Sequence, residues 1–204
     1  MDIDLRLLLG ITSGVIAFIA YLMYIVSIIR GKTKPSRVTW WVYAFMGITI
    51  AVSYDLSGAS NTIWLPYVEF TGPFLIALLS IKYGEGGFDD WTDKICLIGV
   101  FLSIALWFIL DSPLVALVTN LVIDSFAIVP TIKKSYQRPE GEDLPAWLGT
   151  GFADVLNLFA AERFSFAILV YPIYMLVSDL IIIFILFFRR RNKIRNWDFL
   201  VRHK

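Results

Sequence analysis

Long apolar runs broken by short charged segments dominate the chain. Seven of them are predicted as helices: Leu5–Ile29, Val38–Tyr54, Thr62–Lys82, Lys94–Leu110, Pro113–Ile132, Leu144–Ala161 and Phe164–Phe188. The apolar residues do not follow the spacing of a helix with one greasy face. They fill whole runs, and a run of about 18 or more apolar residues reads as a bilayer-spanning segment.

The segments between the runs alternate in charge. Arg30, Lys32, Lys34 and Arg37 fill the first, Lys82 and Lys94 flank the third, and Lys133, Lys134 and Arg138 follow the fifth run. Arg189, Arg190, Arg191, Lys193, Arg195, Arg202 and Lys204 crowd the end of the chain. Of the 18 basic residues, only Arg6 and Arg163 fall on the other side. Basic loops stay in the cytoplasm, so the pattern predicts a multi-pass protein of the plasma (inner) membrane, N-terminus outside and C-terminus cytoplasmic. The basic tail reads as an anchor for anionic lipid, and no nucleic-acid partner is expected.

Composition agrees. Hydrophobic residues make up 58% of the 204, and the mean hydropathy is +0.71. A soluble domain of this size cannot bury so much apolar surface. Cys96 is the single cysteine and His203 the single histidine. That excludes an internal disulfide and leaves no ligand set for zinc or haem, so neither a metal nor a cofactor is expected. The first run is too long for the apolar core of a signal peptide, and Arg30-Gly31-Lys32 follows it rather than a small-residue cleavage site.

The chain also repeats itself. Val26-Ser27-Ile28-Ile29-Arg30 with Lys34-Pro35 matches Pro130-Thr131-Ile132-Lys133-Lys134 with Arg138-Pro139. Allowing two extra residues in the later loop, Trp41 falls on Trp147 and Pro66 on Pro172. The match divides the chain into a three-helix unit at 1–89, a linker helix at 90–111, a second three-helix unit at 112–190 and a basic tail at 191–204. Two odd-numbered units joined directly would be inverted in the bilayer. One extra crossing makes them parallel, related by an axis along the membrane normal, with a solute path near that axis. The predicted fold is therefore all-α, integral to the membrane, in a 3+1+3 arrangement.

This organisation resembles the SWEET and PQ-loop transporters. The run Pro130-Thr131-Ile132-Lys133-Lys134-Ser135-Tyr136-Gln137-Arg138-Pro139-Glu140-Gly141 is similar to the PQ-loop signature, with Thr131 in place of the glutamine. The first repeat keeps only the basic loop, with Val26 and Ser27 at the proline–glutamine pair. Nicotinamide riboside carriers of the PnuC type share the architecture. The resemblance implies alternating access, with prolines as hinges: Pro130 foremost, then Pro66 and Pro172. A symmetric set of four hinge prolines is not present. Sugar carriers of this family place asparagines on the third and seventh helices, and this chain has none there.

Four acids lie inside the runs: Glu69, Asp124, Asp154 and Asp179. No lysine or arginine accompanies them. A carboxylate in hydrocarbon is costly, so each is expected to face the interior of the bundle. Asn120 and Asp124 share one face of the fifth helix, and Thr150, Asp154 and Asn157 form a stripe on the sixth. The two stripes are expected to face each other, as binding groups for a polar solute or as polar glue between helices. All four acids are candidates for proton coupling. Trp41 and Trp147 are candidates to stack on a solute ring; the alternative for them is the aromatic belt of the membrane interface.

The function expected is transport of a small polar solute (a sugar, amino acid or nucleoside) by rocking one three-helix unit against the other. The alternative is a receptor or sorting protein of the same fold. An enzyme is not expected, because no nucleophile–base constellation occurs and the last run lacks a lysine for a Schiff base. Small solute and membrane lipid are the partners expected, and pairing into a homo-oligomer stays open.

Overall fold

A computed structural model describes residues 4–56, 58, 60–87, 91–110, 113–161 and 164–202. Among these residues the chain is helical throughout. The order is α1 (Leu5–Ile29), α2 (Arg37–Leu56), α3 (Trp64–Tyr83), α4 (Trp91–Leu110), α5 (Pro113–Ala127), α6 (Val129–Gln137), a 3-10 turn (Pro139–Gly141), α7 (Leu144–Phe159) and α8 (Phe166–Arg202). Each apolar run falls on helix, with edges shifted by a few residues. Arg163 and His203 lie outside the described residues. Among the described residues, three stretches are long and apolar enough to cross a membrane: Leu5–Ile29, Trp64–Tyr83 and Ile168–Arg191.

Local chemistry sets the helix ends. The Asp4 side chain accepts the Arg6 N–H at 3.0 Å and opens α1. Gly31, at φ 70°, closes it, and Gly31 and Lys32 donate back to Ile28 and Ser27 at 2.9 and 3.0 Å. Asp143 caps α7 through the Ala146 N–H at 3.1 Å, with Pro145 in the first turn. α8 runs past the end of the long apolar run to Arg202, because the basic segment holds neither glycine nor proline to stop it.

Prolines differ in what they do. α5 and α6 are one rod interrupted at Ile128, two residues before Pro130. Proline 130 has no N–H for the carbonyl one turn back, so the ladder breaks there. Thr39 of α2 staples the break, donating to the Ala127 carbonyl at 2.9 Å while the Thr131 hydroxyl donates to it at 3.1 Å. Pro172 lies inside α8. Pro66 stands in the first turn of α3, where a missing N–H costs nothing, and Pro73 is the proline inside that helix. A bend within α3 therefore belongs to Pro73, not to Pro66 as the repeat suggested.

α3 packs between α1 and α2, and α8 between α5–α6 and α7. α1 also packs along α7, α2 along α5, and α4 rests on α5 and α2. The α1–α7 contact is close because small residues line it. Ser13 donates to the Ala153 carbonyl at 2.9 Å, and a Cβ on Gly149 would sit 2.8 Å from that of Ala20. The burial pattern is inverted relative to a water-soluble bundle. Leu8, Ile11, Val15, Phe18 and Leu22 of α1 and Val177, Leu180, Ile181 and Phe184 of α8 are exposed. Asn120, Asp124, Asp154, Asn157 and Asp179 are buried.

Candidate functional site

A small cavity of about 20 Å³, space for one water-sized body, lies where α1, α2 and α3 meet α7 and α8. Its walls are the rings of Tyr21, Tyr24, Trp40, Tyr43 and Trp147. Glu69 and Asp179 supply its acids, with Thr150, Met175, Ala20 and Ala146 between them. The rings lean on one another. Trp40 lies 4.9 Å from Tyr24, 6.2 Å from Tyr21 and 6.5 Å from Trp147, centroid to centroid. Offset and edge-on contacts of this kind favour a tight aromatic cluster.

Each acid is held differently. Tyr21 donates its hydroxyl to Glu69 at 2.5 Å. The Thr150 hydroxyl reaches Asp179. Asp124, outside the cavity lining, accepts from Tyr174 of α8 at 2.7 Å, with Ser125 3.2 Å from the same Tyr174 oxygen. Asp154 is 1% exposed, and neither of its oxygens meets a hydrogen-bond donor of the protein. Asn157, one turn further along α7, is fully buried and has neither amide atom bonded within the protein. Glu69, Asp154 and Asp179 are all buried in the bundle, at 6%, 1% and 3% exposure. Among the described residues, no three His, Cys, Asp or Glu side chains gather tightly enough to hold a metal ion.

The structure thus separates residues that the sequence grouped. The Asn120–Asp124 stripe and the Thr150–Asp154–Asn157 stripe do not face each other, because α8 lies between α5 and α7. Thr150 lines the cavity, and Asp154 sits behind it. Trp147 lines the cavity as well, but its counterpart is Trp40. Trp41 instead stacks on Phe45, centroids 6.0 Å apart. The reason is register: Trp40 is the fourth residue of α2 and Trp147 the fourth of α7. Counting through the loops slips by one residue, which on a helix turns a side chain by about 100°.

Sequence reasoning missed Glu142. It is 2% exposed and lies beneath the cavity at the basic end of the bundle. Its Oε2 accepts from Tyr24 at 2.8 Å and from the indole of Trp147 at 3.1 Å, and its Oε1 pairs with Lys134. Lys134 also donates to the Lys34 carbonyl, and Arg190 of α8 to the carbonyls of Pro139 and Glu142. One carboxylate therefore ties α1, α6 and α7 together under two of the cavity rings. The signal available in the sequence was Glu142 itself, an acid in the loop that follows a strongly basic stretch.

Gly72 sets the position of Tyr21. A Cβ there would lie 2.4 Å from the tyrosine ring. Gly72→Ala is expected to displace the ring, weaken the bond to Glu69 and destabilise the protein by about 1–3 kcal/mol, as overpacking of a filled site does. Thermal unfolding of the purified protein measures it, and an unchanged midpoint contradicts this account.

No protein-family model, curated protein or solved structure matches the chain.

Proposed function

We propose that the chain is a multi-pass integral membrane carrier that moves a small polar solute by alternating access between two parallel three-helix units. The observation that carries this reading is the acid- and aromatic-lined cavity at the seam between α1–α3 and α7–α8. A carrier needs its site where two moving bodies meet, near the middle of the membrane.

Three further features favour it. Counting α5–α6 as one interrupted crossing, the third helix of each unit packs between the first and second, and the first helix of each packs on the second helix of the other. That is the contact pattern of two units related by a two-fold axis along the membrane normal. The inverted burial pattern suits lipid outside and a polar path inside. Glu142 holds two of the cavity rings, Tyr24 and Trp147, from the basic side, which the positive-inside rule would make cytoplasmic. The resemblance to SWEET and PQ-loop transporters, with the PnuC-type carriers beside them, is part of the same proposal, as are the plasma-membrane location and the outward N-terminus.

Reconstitution into proteoliposomes tests it. A panel of labelled sugars, amino acids, nucleosides and amines is expected to yield at least one solute with saturable uptake that an internal load of the same solute accelerates. If nothing moves, the carrier reading fails. Saturable binding without flux would return the receptor reading of the same fold.

A further inference from the structure

Four of the donors around the cavity are already committed. Tyr21 gives its proton to Glu69, Thr150 faces Asp179, and both Tyr24 and the Trp147 indole donate to Glu142. A hydroxyl has a single proton to give. The lining therefore presents mainly ring faces and carboxyl oxygens to anything bound there, with the Tyr43 hydroxyl and the Trp40 indole as its remaining donors. Neutral polyols, which need donors and acceptors in alternation, are poorly matched. No lysine, arginine or histidine lines the cavity, so a carboxylate or phosphate on the solute would be buried without a counter-charge.

Ring faces carry negative electrostatic potential and attract cations, most strongly when water is excluded. Two carboxylates on α3 and α8 flank these rings. No basic side chain in the lining balances them, so a cation entering the site would be the partner that lets both ionise. Building on the carrier reading, we propose that the solute is a small organic ammonium ion lacking a carboxylate, held between Trp40 and Trp147 with its charge shared by Glu69 and Asp179. The cavity as it stands is about 20 Å³, so the ion enters as the two units part along the Trp40–Trp147 contact and the rings separate to take it between them.

Calorimetric titration of the full chain in lipid nanodiscs tests this with three probes of one shape. Choline carries the cation alone, 3,3-dimethylbutan-1-ol replaces its nitrogen by carbon, and glycine betaine adds a carboxylate. Choline is expected to bind saturably, roughly tenfold or more tighter than either comparator. Asp179→Asn and Glu69→Gln are expected to weaken choline to a similar degree. Absence of choline binding, or equal binding of choline and its carbon isostere, overturns the proposal on the unaltered protein. Choline binding that survives both substitutions unchanged overturns the assignment of Glu69 and Asp179. The two readings fail separately. Saturable flux of an uncharged solute with no choline binding keeps the carrier and removes the cation. Choline binding in a protein that moves nothing keeps the site and removes the carrier.

Discussion

Glu142→Gln is expected to cost about 3–5 kcal/mol of stability, the usual effect of removing one partner from a buried ion pair. The side chains of Lys134 and Glu142 are 5% and 0% exposed. Glutamine keeps the shape and still accepts from Tyr24 and Trp147, but the Lys134 ammonium is left buried opposite a neutral amide. The surface pair Arg138–Glu85, at 3.1 Å but with the arginine side chain 60% exposed, is the internal control. Glu85→Gln should cost less than about 1 kcal/mol, since exposed pairs contribute little. Thermal unfolding of the two variants side by side measures the contrast. The double change Lys134→Met with Glu142→Gln should restore much of the loss, because it removes the stranded charge as well as its partner. Equal costs for the Glu142 and Glu85 variants would refute the view of Glu142 as the buried hub of the basic end.

A functional consequence goes with it. Tyr24 and Trp147 are cavity walls, and Glu142 is what holds both from below. Under the proposed carrier function, weakening that hold favours the arrangement in which the basic side opens. Ala146, in the cavity lining next to Trp147, reports on it: Ala146→Cys in a Cys96→Ser background should be labelled faster by a polar thiol reagent when Glu142→Gln is added.

Which of these features the sequence could reveal follows from the range of the signal. Unbroken apolar runs are a local property, and they marked the helices of the structure. The basic loops were legible as charge, and read as topology signals alone. Lys134 shows what that reading omits: a residue counted as a surface anchor is buried against Glu142, and only the meeting of α6 with the α7 loop decides it. Trp40 and Trp41 illustrate the same limit at finer grain. Adjacent tryptophans on one helix point about 100° apart, and a repeat aligned through loops of unequal length cannot say which of them faces inward. Asp124 and Asp154 were visible as inward-facing acids. Their separation was not, because it depends on α8 standing between α5 and α7, a fact of packing that no spacing along the chain encodes. Pro130 was legible because proline acts on its own helix, whereas Pro66 was misplaced by the uncertain start of α3.

Asp154 distinguishes polar glue from working carboxyl, and the two give opposite signs. A carboxyl that holds helices together loses stability when it is removed, by about 0.6–2 kcal/mol for a hydrogen bond between helices in a membrane. Asp154 has no such bond to lose. It is 1% exposed, with both oxygens unbonded within the protein, so its burial is expected to cost stability. Asp154→Leu, which removes the polar group while keeping its bulk, is expected to raise stability by about 1–3 kcal/mol, the cost of burying an unsatisfied polar group. Under the proposed carrier function such a residue works in another state, the familiar exchange of stability for activity. On the proposed carrier function, transport should therefore fall at least roughly tenfold in both Asp154→Leu and the near-isosteric Asp154→Asn, as expected of an intramembrane acid on a solute or proton path. Unfolding midpoints and initial uptake rates of the same preparations decide it. A stabilised protein that has lost flux supports the working carboxyl; a destabilised one with flux intact makes Asp154 glue, and leaves Glu69 and Asp179 as the acids of the path.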